Sequence, residues 1–258
     1  MKPHLSVLPL LVFAAAPVHA QDADYYRIRV GLGAQVRPDF VGSKDYRAAP
    51  LWDVDVASGT NEFRFEAPDD PFGIPAISSG SFVAGPAFNL ASGRKDSEVG
   101  VPVGRVKTTF EAGGFMQYDV SKSIRIRADL RKGIGGHKGL IGAVGADYIW
   151  RDADRYVFSL GPRLLFSDDR YQQAYFGVTP TAALATGLPV YRPGGGVHAL
   201  AVASGLSYQF NQRFGMFGFA RYERLIGDAA KSPIVRQFGS RDQMSAGVGL
   251  SYTFKIKK

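Results

Sequence analysis

Few side chains in this sequence have the types and spacing that catalysis needs. The chain has four histidines, and only His137 and His198 lie beyond its first 20 residues. A histidine acts as a base when a carboxylate orients it next to a nucleophile or a water molecule. Asp168 and Asp169 could approach His198 across a long loop, but no motif fixes that arrangement. We therefore expect a protein that is not an enzyme, with a base at His198 as the alternative.

The sequence also has no pattern for a metal or a cofactor. It contains no cysteine, which excludes disulfides and thiolate ligands. No set of other ligand residues has the spacing of a metal site. The segment GIGGHKG at 133–139 superficially resembles a phosphate-binding turn, but no helix follows it. We interpret it as a hairpin loop and expect neither a cofactor nor a metal.

Charged side chains recur at every second position in several segments. Nine basic and nine acidic groups lie at these positions, and the candidates named below are selected from these two sets. A charge-selective pore would show an excess of one sign, so the balance favours an interior filled with salt bridges. A charge-selective pore is the alternative. The candidates for this interior set are Arg27, Arg29, Arg125, Arg127, Asp129, Arg131, Arg163, Arg221 and Glu223.

The elements that must position these charges are β-strands with one apolar and one hydrophilic face. In the segment QMSAGVGLSYTF at 243–254 every second residue is apolar, and residues 26–36 repeat the pattern. A helix would bring apolar residues back at i+3 and i+4 instead. An apolar face about ten residues long suits a strand that crosses a bilayer at a tilt. The sequence therefore predicts an all-β fold, a transmembrane antiparallel up-and-down β-barrel of ten strands, possibly twelve.

The connections between strands alternate between short and long. Ser58-Gly59, Ser121-Lys122, RDADR at 151–155 and NQR at 211–213 are short, and aromatic residues gather beside them. Barrels with tight periplasmic turns, long external loops and an interfacial aromatic girdle have this arrangement. Alternation in residues 62–66 predicts one more short strand. The proline-rich stretch 67–75 cannot pair as a central strand, so it is either a loop or a segment folded into the lumen.

The first 20 residues have the features of a secretory signal. Lys2 is followed by an apolar run over residues 5–16 and by an A-x-A-like site that ends at Ala20. This predicts a cleaved signal peptide, residues 1–20, and a barrel, residues 21–258, in the outer membrane of a Gram-negative cell. The formal net charge of +8 favours contact of basic loops with lipid or lipopolysaccharide phosphates. No nucleic-acid partner is expected.

The long loops resemble those of one family. DDRYQQAYFGVTPTAALATGLPVYRPGGG at 168–196 and RLIGDAAKSPIV at 224–235 are similar to signature segments of the MipA/OmpV family, named for MltA-interacting protein. GLGAQVRPDFVGSKDYRAAPLW near the start and GPAFNLASGR at 85–94 also fit. The resemblance covers nearly all of the chain after the signal. One departure is KIKK after Phe254, because the family usually ends at the aromatic residue.

The resemblance implies an outer-membrane barrel that binds or scaffolds, with a murein transglycosylase and a murein synthase as possible partners. Other members are porin-like or adhesive, so a narrow solute channel or a surface adhesin is the alternative. Long loops on a rigid barrel often carry function, and the loop residues that we select as candidates for binding are Tyr171, Tyr175, Phe176, Gly177, Val178, Tyr191, Ser232 and Pro233. Alternatively, residues 175–178 form a plug in the lumen. If these loops are external, a periplasmic enzyme would meet the short turns instead.

Overall fold

The computed structural model describes residues 24–258, so the predicted signal peptide lies outside the described residues. Ten long strands and two short ones form the sheet. Their bounds are β1 (Tyr25–Pro38), β2 (Tyr46–Ser58), β3 (Phe72–Gly73), β4 (Ile77–Ser79), β5 (Phe82–Ala91), β6 (Thr109–Ser121), β7 (Ile124–Gly135), β8 (Leu140–Asp152), β9 (Tyr156–Ser167), β10 (Gly196–Gln209), β11 (Phe214–Leu225) and β12 (Asp242–Lys257).

All strands belong to one antiparallel sheet in which chain neighbours pair. The order is β2-β1-β12-β11-β10-β9-β8-β7-β6-β5-β3, and β4 also pairs with β5. The first and last long strands pair from Tyr25 opposite Lys257 to Val36 opposite Ala246. The residues KIKK therefore begin within β12, which continues past Phe254. This topology confirms the predicted all-β antiparallel up-and-down barrel.

Period-two alternation separates two faces along the whole wall. Leu32 and Trp52 are opposite one another in the β1–β2 register and, like Leu250 on β12, are each 69% exposed. The alternate residues of each strand point inward. On this inward face Arg125 of β7 is 1% exposed and Asp147 of β8 is 2% exposed. The apolar face is therefore the one that meets lipid, and the charged face lines the interior, as the alternation predicts.

The predicted strand at residues 62–66 is not formed. After β2 the chain turns into the interior, and residues 59–71 are not part of the sheet. Phe63 is 3% exposed, because its ring lies against inward-facing arginines and not against lipid. An alternating pattern reports only that a segment has two different environments on its sides. The prediction failed here because both sides of this segment are inside the barrel.

The hydrogen-bonded order ends at β2 on one side and at β3 and β4 on the other. Within residues 24–258 no strand pairing joins these two edges. The backbone between β3 and β4 follows β5, where Ile74 N–H donates to the Pro86 carbonyl at 3.0 Å. Proline has no N–H to donate and is tolerated at sheet edges. Pro50 in β2 and Pro75 between β3 and β4 occupy such edges.

The long loops at one end of the barrel fold into a small helical cap. Its helices are α1 (Asp96–Val99), α2 (Asp169–Phe176), α3 (Pro180–Thr186), α4 (Gly227–Lys231) and α5 (Pro233–Phe238). The Asp168 carboxylate accepts from Tyr171 N–H at 2.9 Å and caps α2, and the Thr179 hydroxyl accepts from Ala182 N–H at 3.2 Å and caps α3. We call this the loop end, and the opposite end, with the short turns and both ends of the described chain, the turn end. None of the helices within residues 24–258 is long and apolar enough to cross a membrane.

The outward face predicts the effect of a charge at mid-height. Leu250 pairs with Leu32 near the middle of β1 and β12, where lipid surrounds it. We expect Leu250→Arg to lower the free energy of unfolding by about 2–4 kcal/mol, because a guanidinium at the bilayer midplane is poorly solvated. Urea unfolding in phospholipid vesicles measures this change. Leu184→Arg is the control, since Leu184 is 91% exposed on the cap, and equal effects of both substitutions would contradict the assigned faces.

Candidate functional site

Residues 59–71, which we call the inner segment, run through the interior of the barrel. Near the turn end its backbone is held by the wall. The Arg27 Nε–H group donates to the Gly59 carbonyl at 2.8 Å, and Phe63 N–H donates to the Asp154 carboxylate at 2.9 Å. The Phe63 ring also lies beneath the guanidinium groups of Arg27 and Arg29, 4.7 and 4.6 Å from its centre. Strand β1 and the β8–β9 turn are therefore both fixed to one segment.

Farther along, two adjacent carboxylates of the inner segment connect it to three more strands. Asp70 lies 2.6 Å from the Arg125 guanidinium of β7, and its other oxygen is 3.5 Å from Arg127. Asp69 lies 3.0 Å from Arg163 of β9 and 3.4 Å from Arg221 of β11. These contacts connect the inner segment to strands on both sides of β9 in the sheet order. The inner segment therefore lies inside the barrel and is held to its wall by ion pairs.

All nine charged residues predicted to face the interior do so, and each has an opposite charge within 4 Å. Besides the pairs with the inner segment, Arg29 pairs with Asp55 at 2.5 Å, Arg163 with Asp147 at 2.7 Å, and Arg221 with Glu223 at 2.6 Å. Arg27 pairs with Asp154, and Arg131 pairs with both Glu111 and Asp129. A buried guanidinium without a partner is strongly unfavourable. The arrangement corresponds to the salt-bridge interior and not to a lumen with one excess charge.

The inner segment approaches β10 closely at a glycine, where the strand has no side chain. A Cβ at Gly205 would lie 2.7 Å from Pro68 Cγ, inside the contact distance of two carbon atoms. Glycine in a strand commonly marks such an approach of another backbone. The close approach of Pro68 to Gly205 therefore places this part of the inner segment directly against β10.

The candidate loop residues form the core of the cap. Tyr171, Tyr175, Phe176 and Val178 are 3%, 1%, 0% and 1% exposed. They pack in two adjoining hydrophobic clusters with residues from three other long loops and the ends of the strands. The arrangement is closer to the plug alternative than to an exposed docking surface, because these aromatic rings are covered.

Hydrogen bonds connect the remaining candidates within the same cap. The Ser232 hydroxyl donates to the Phe176 carbonyl at 2.7 Å, and the Tyr191 hydroxyl donates to the Asp228 carbonyl at 2.8 Å. Val178 and Tyr191 exchange two backbone hydrogen bonds of 2.9 and 3.0 Å. The other two candidates, Gly177 at the end of α2 and Pro233 at the start of α5, are also buried. The structure thus brings all eight loop candidates together.

The two histidines are buried beneath the cap in separate hydrogen-bonded environments. His137 Nδ1 accepts from Gly139 N–H at 3.1 Å, so the ring hydrogen resides on Nε2, which contacts the Glu111 carboxylate at 3.1 Å. His198 Nδ1 contacts the Ser167 hydroxyl at 3.1 Å. Within the described residues neither Asp168 nor Asp169 hydrogen-bonds to His198, and the Asp168 side chain caps α2 instead. The arrangement of His198 with these two aspartates is therefore not formed.

Three features of the interior and the cap were not expected from the sequence. The roles of Asp69 and Asp70 were missed, although the run APDDPFG places two carboxylates between prolines. The pair of His137 with Glu111 was also missed. Arg94 is 2% exposed, and burial lowers its pKa to about 10. Within residues 24–258 no cluster of three or more His, Asp or Glu residues has the geometry of a metal site.

The lumen network predicts a large effect of removing one arginine. We expect Arg125→Met to lower the free energy of unfolding by about 3–5 kcal/mol, because Asp70 and Asp147 lose their shared partner in a buried environment. Urea unfolding in vesicles measures this loss. Arg224→Met is the control, since Arg224 and its partner Asp242 are 48% and 47% exposed, and we expect a much smaller loss there. Equal losses of unfolding free energy in the two variants would contradict the larger contribution that we assign to the buried ion pairs.

The cap predicts an alkaline transition. Burial raises the pKa of Tyr171 well above 10.0, and burial likewise raises the pKa of Tyr175. The stability that neutral phenols contribute is therefore complete below pH 10 and is lost as the pH rises above it. Burial lowers the pKa of Arg94, so its contribution to stability increases as the pH rises. This opposes the effect of the phenols, but only one arginine acts against two tyrosines.

We expect near-UV circular dichroism of the tyrosines to collapse above about pH 10 while the far-UV signal of the strands persists. Tyr171→Phe should move this transition to higher pH, because one titrating phenol is removed. Tyr118→Phe is the control, since Tyr118 is 53% exposed on the outward face. A transition that moves equally in both variants would contradict the role of the buried phenols.

Comparison with known proteins gives a fold resemblance and a family. No curated protein matches the chain. Among solved structures, the COG4313 outer membrane channel from Pseudomonas putida F1 is 8% identical with a TM-score of 0.45, covering 92% of this chain and 100% of that chain. The outer membrane channel DcaP of Acinetobacter baumannii is 9% identical with a TM-score of 0.41, covering 93% and 100%. The KdgM porin is 11% identical with a TM-score of 0.39, covering 88% and 99%.

These identities and TM-scores are too low to carry an argument about function. A family model described as MltA-interacting protein MipA matches residues 30–254, which include the whole cap and at least part of every strand of the barrel. The chain therefore belongs to the MipA family, a family of outer-membrane β-barrel proteins.

Proposed function

We propose that this protein binds and scaffolds other components at the outer membrane and that its barrel does not conduct in the resting state. The single observation that carries the proposal is the inner segment, whose two aspartates pair with arginines of three strands. A solute that passes through the barrel would have to displace these ion pairs. Each displaced pair leaves an uncompensated charge in the interior, so a static pore is not supported.

The cap is a second obstruction on the same axis. Its helices pack over the loop end, and Tyr171 contacts both interior histidines, with ring centres 4.9 Å from His137 and 5.4 Å from His198. The cap also contains the longest loops of the protein, which would be external in the arrangement typical of outer-membrane barrels. The proposal therefore assigns the resting protein two barriers, one at the loop end and one in the lumen.

The turn end is the proposed binding surface for a periplasmic partner. Basic side chains are exposed there, and within residues 24–258 they have no carboxylate within 4 Å. These residues are Lys122, Arg155, Arg213, Lys255, Lys257 and Lys258. Such a surface favours a partner with acidic groups. The family description names an MltA-interacting protein, so we propose a murein transglycosylase as the partner, with a murein synthase joined through the same complex.

The proposal includes export through a cleaved signal peptide, residues 1–20, and it includes no catalytic step. Both histidines already have buried polar partners, and the possible base His198 lacks a hydrogen-bonded carboxylate within the described residues. A base of this kind needs an orienting group and access to substrate. Mass spectrometry of the protein from outer membranes tests the first part, since we expect a mature chain that begins at Gln21.

A narrow solute channel is the second candidate. The observation in its favour is that the inner segment is outside the sheet and is held to it largely by side chains. The barrel would conduct only after this segment moved. A channel whose inner segment moves should show openings in a conductance measurement, whereas a permanently closed barrel should show none.

The occlusion predicts that purified wild-type protein produces no steady unitary current in planar bilayers. We expect Asp69→Asn/Asp70→Asn to produce intermittent openings, because neutral amides hold the four arginines less strongly than carboxylates do. Glu62→Gln is the matched control, since Glu62 belongs to the same segment but is 56% exposed, and it should remain closed. Steady currents from the wild type would overturn the closed barrel and favour the channel.

The turn-end surface predicts where a murein enzyme can be crosslinked in intact cells. A photo-crosslinking residue at Gln212 or at Arg155 should recover a murein transglycosylase, because both positions lie in exposed short turns. The same residue at Leu184 in the cap is the control and should not. Recovery at Leu184 alone would place the partner at the loop end, and recovery at none of these positions would remove the scaffold proposal.

A further inference from the structure

A cavity of about 180 Å³ lies at the loop end of the barrel. It forms where the ends of β1 and β2 meet the loop that follows β5. Residues of both edges line it, among them Arg47 of β2 and Leu90 of β5. The cavity therefore bridges the two sides of the sheet that no strand pairing joins within residues 24–258.

Positive charge is concentrated around this cavity. Its five basic lining residues are Arg37, Arg47, Arg94, Lys95 and Arg105. Glu98 is the one acidic residue that lines it, so five basic groups minus one acidic group give a formal charge of +4. The Glu98 carboxylate is already occupied, since it accepts from Lys95 N–H at 2.8 Å and lies 3.8 Å from the Lys95 ammonium. Among the residues that line the cavity, no other acidic group is present to balance the four arginines.

These four arginines differ from those deeper in the barrel. Every interior arginine that pairs with the inner segment has a carboxylate within 4 Å, whereas Arg37, Arg47, Arg94 and Arg105 have none among residues 24–258. In the β1–β2 register Arg37 is directly opposite Arg47. Like charges at directly opposed positions of two strands destabilise a sheet. Charges in the lumen are therefore paired, whereas positive charges accumulate without acidic partners at this rim.

Several donors of these arginines are buried without an acceptor. The Nε–H groups of Arg37, Arg47 and Arg94 have no hydrogen-bond partner in the structure. The Arg94 guanidinium is fixed from behind, because it donates to the Tyr175 carbonyl and, at 2.9 Å, to the Gly104 carbonyl. Buried donors without acceptors are unfavourable. An acceptor with several oxygens and a negative charge would satisfy them together.

We propose that this cavity is a phosphate-binding site at the outer rim of the barrel. Guanidinium groups donate in a planar fork that matches phosphate oxygens, and a phosphate monoester carries up to two negative charges. A carboxylate would supply fewer oxygens and half of that charge. The shared chemistry is therefore a phosphate monoester or diphosphate, and not a neutral solute.

The position of the cavity allows two sources of that phosphate. Leu90 lines the cavity and is 66% exposed on the face that meets lipid. An opening at this height of the wall is close to the head groups of the outer leaflet. The occupant is either a phosphate of an outer-leaflet glycolipid or a soluble phosphorylated molecule that arrives from outside.

Calorimetric titration of the full mature protein in detergent with inorganic phosphate and with pyrophosphate tests the site. We expect saturable binding that Arg37→Gln/Arg47→Gln weakens at least about tenfold, because two guanidinium forks and their two charges are removed. Arg236→Gln/Arg241→Gln is the matched control. It removes the same charge from exposed loop positions at the same end and should change the affinity less than about twofold. Far-UV circular dichroism and heat-modified gel mobility verify that both variants are folded.

Absence of saturable binding by the wild type would overturn the proposal. Equal weakening in both double variants would also overturn it, because that result indicates only general attraction of anions to a basic end. Phosphorylated lipid A and its dephosphorylated form, each added in detergent, then distinguish the sources. Displacement of bound phosphate only by the phosphorylated lipid identifies a glycolipid phosphate as the occupant. Phosphate binding that neither lipid changes identifies a soluble phosphorylated molecule.

Discussion

An arginine in the lumen of a narrow barrel is strongly unfavourable without an anion beside it, and this cost organises the lumen of the protein. Several strands present guanidinium groups to the lumen, and the wall itself supplies only part of the carboxylates that they need. Asp147 serves both Arg125 and Arg163, but these two arginines also reach Asp70 and Asp69 of the inner segment. The inner segment thus supplies negative charge that the wall lacks. The position of this segment inside the barrel and the pairing of the wall arginines have one common electrostatic cause.

The cap is stabilised mainly by apolar packing and not by ion pairs. Long loops on a barrel are normally solvated, yet here they bury tyrosines and phenylalanine as completely as a protein core does. Short helices with Asp168 and Thr179 as caps leave the loop backbone satisfied while their apolar sides meet. The loop end is consequently a folded unit that stands on the strands. Its aromatic residues form the core of the cap, and the surface available for recognition consists of other residues.

The strands could be predicted from the sequence because their signal is local. Period-two alternation depends on neighbours within one strand, and once both faces are known a one-residue slip of β1 against β12 is excluded. The inner segment could not be predicted in this way. Phe63 and Phe65 alternate with charged residues as in a strand, but their environment is set by residues nearly one hundred positions away, such as Asp154. The same limit applies to Tyr175, because an aromatic residue in a loop has the same appearance in sequence whether a partner or the cap covers it.

The pairing of the two terminal strands has a consequence for how the barrel is built. In the sheet order, β2 reaches the rest of the wall only through β1, and β1 only through β12. The hairpin of β1 and β2, which is made first during synthesis, therefore has no strand of the remaining wall to pair with until β12 is available. Contacts between distant parts of a chain form slowly, because a large loop must close before they can be made. The amino-terminal hairpin can therefore join the wall only when the carboxyl-terminal strand is present, so pairing between the two ends of the described chain completes the sheet.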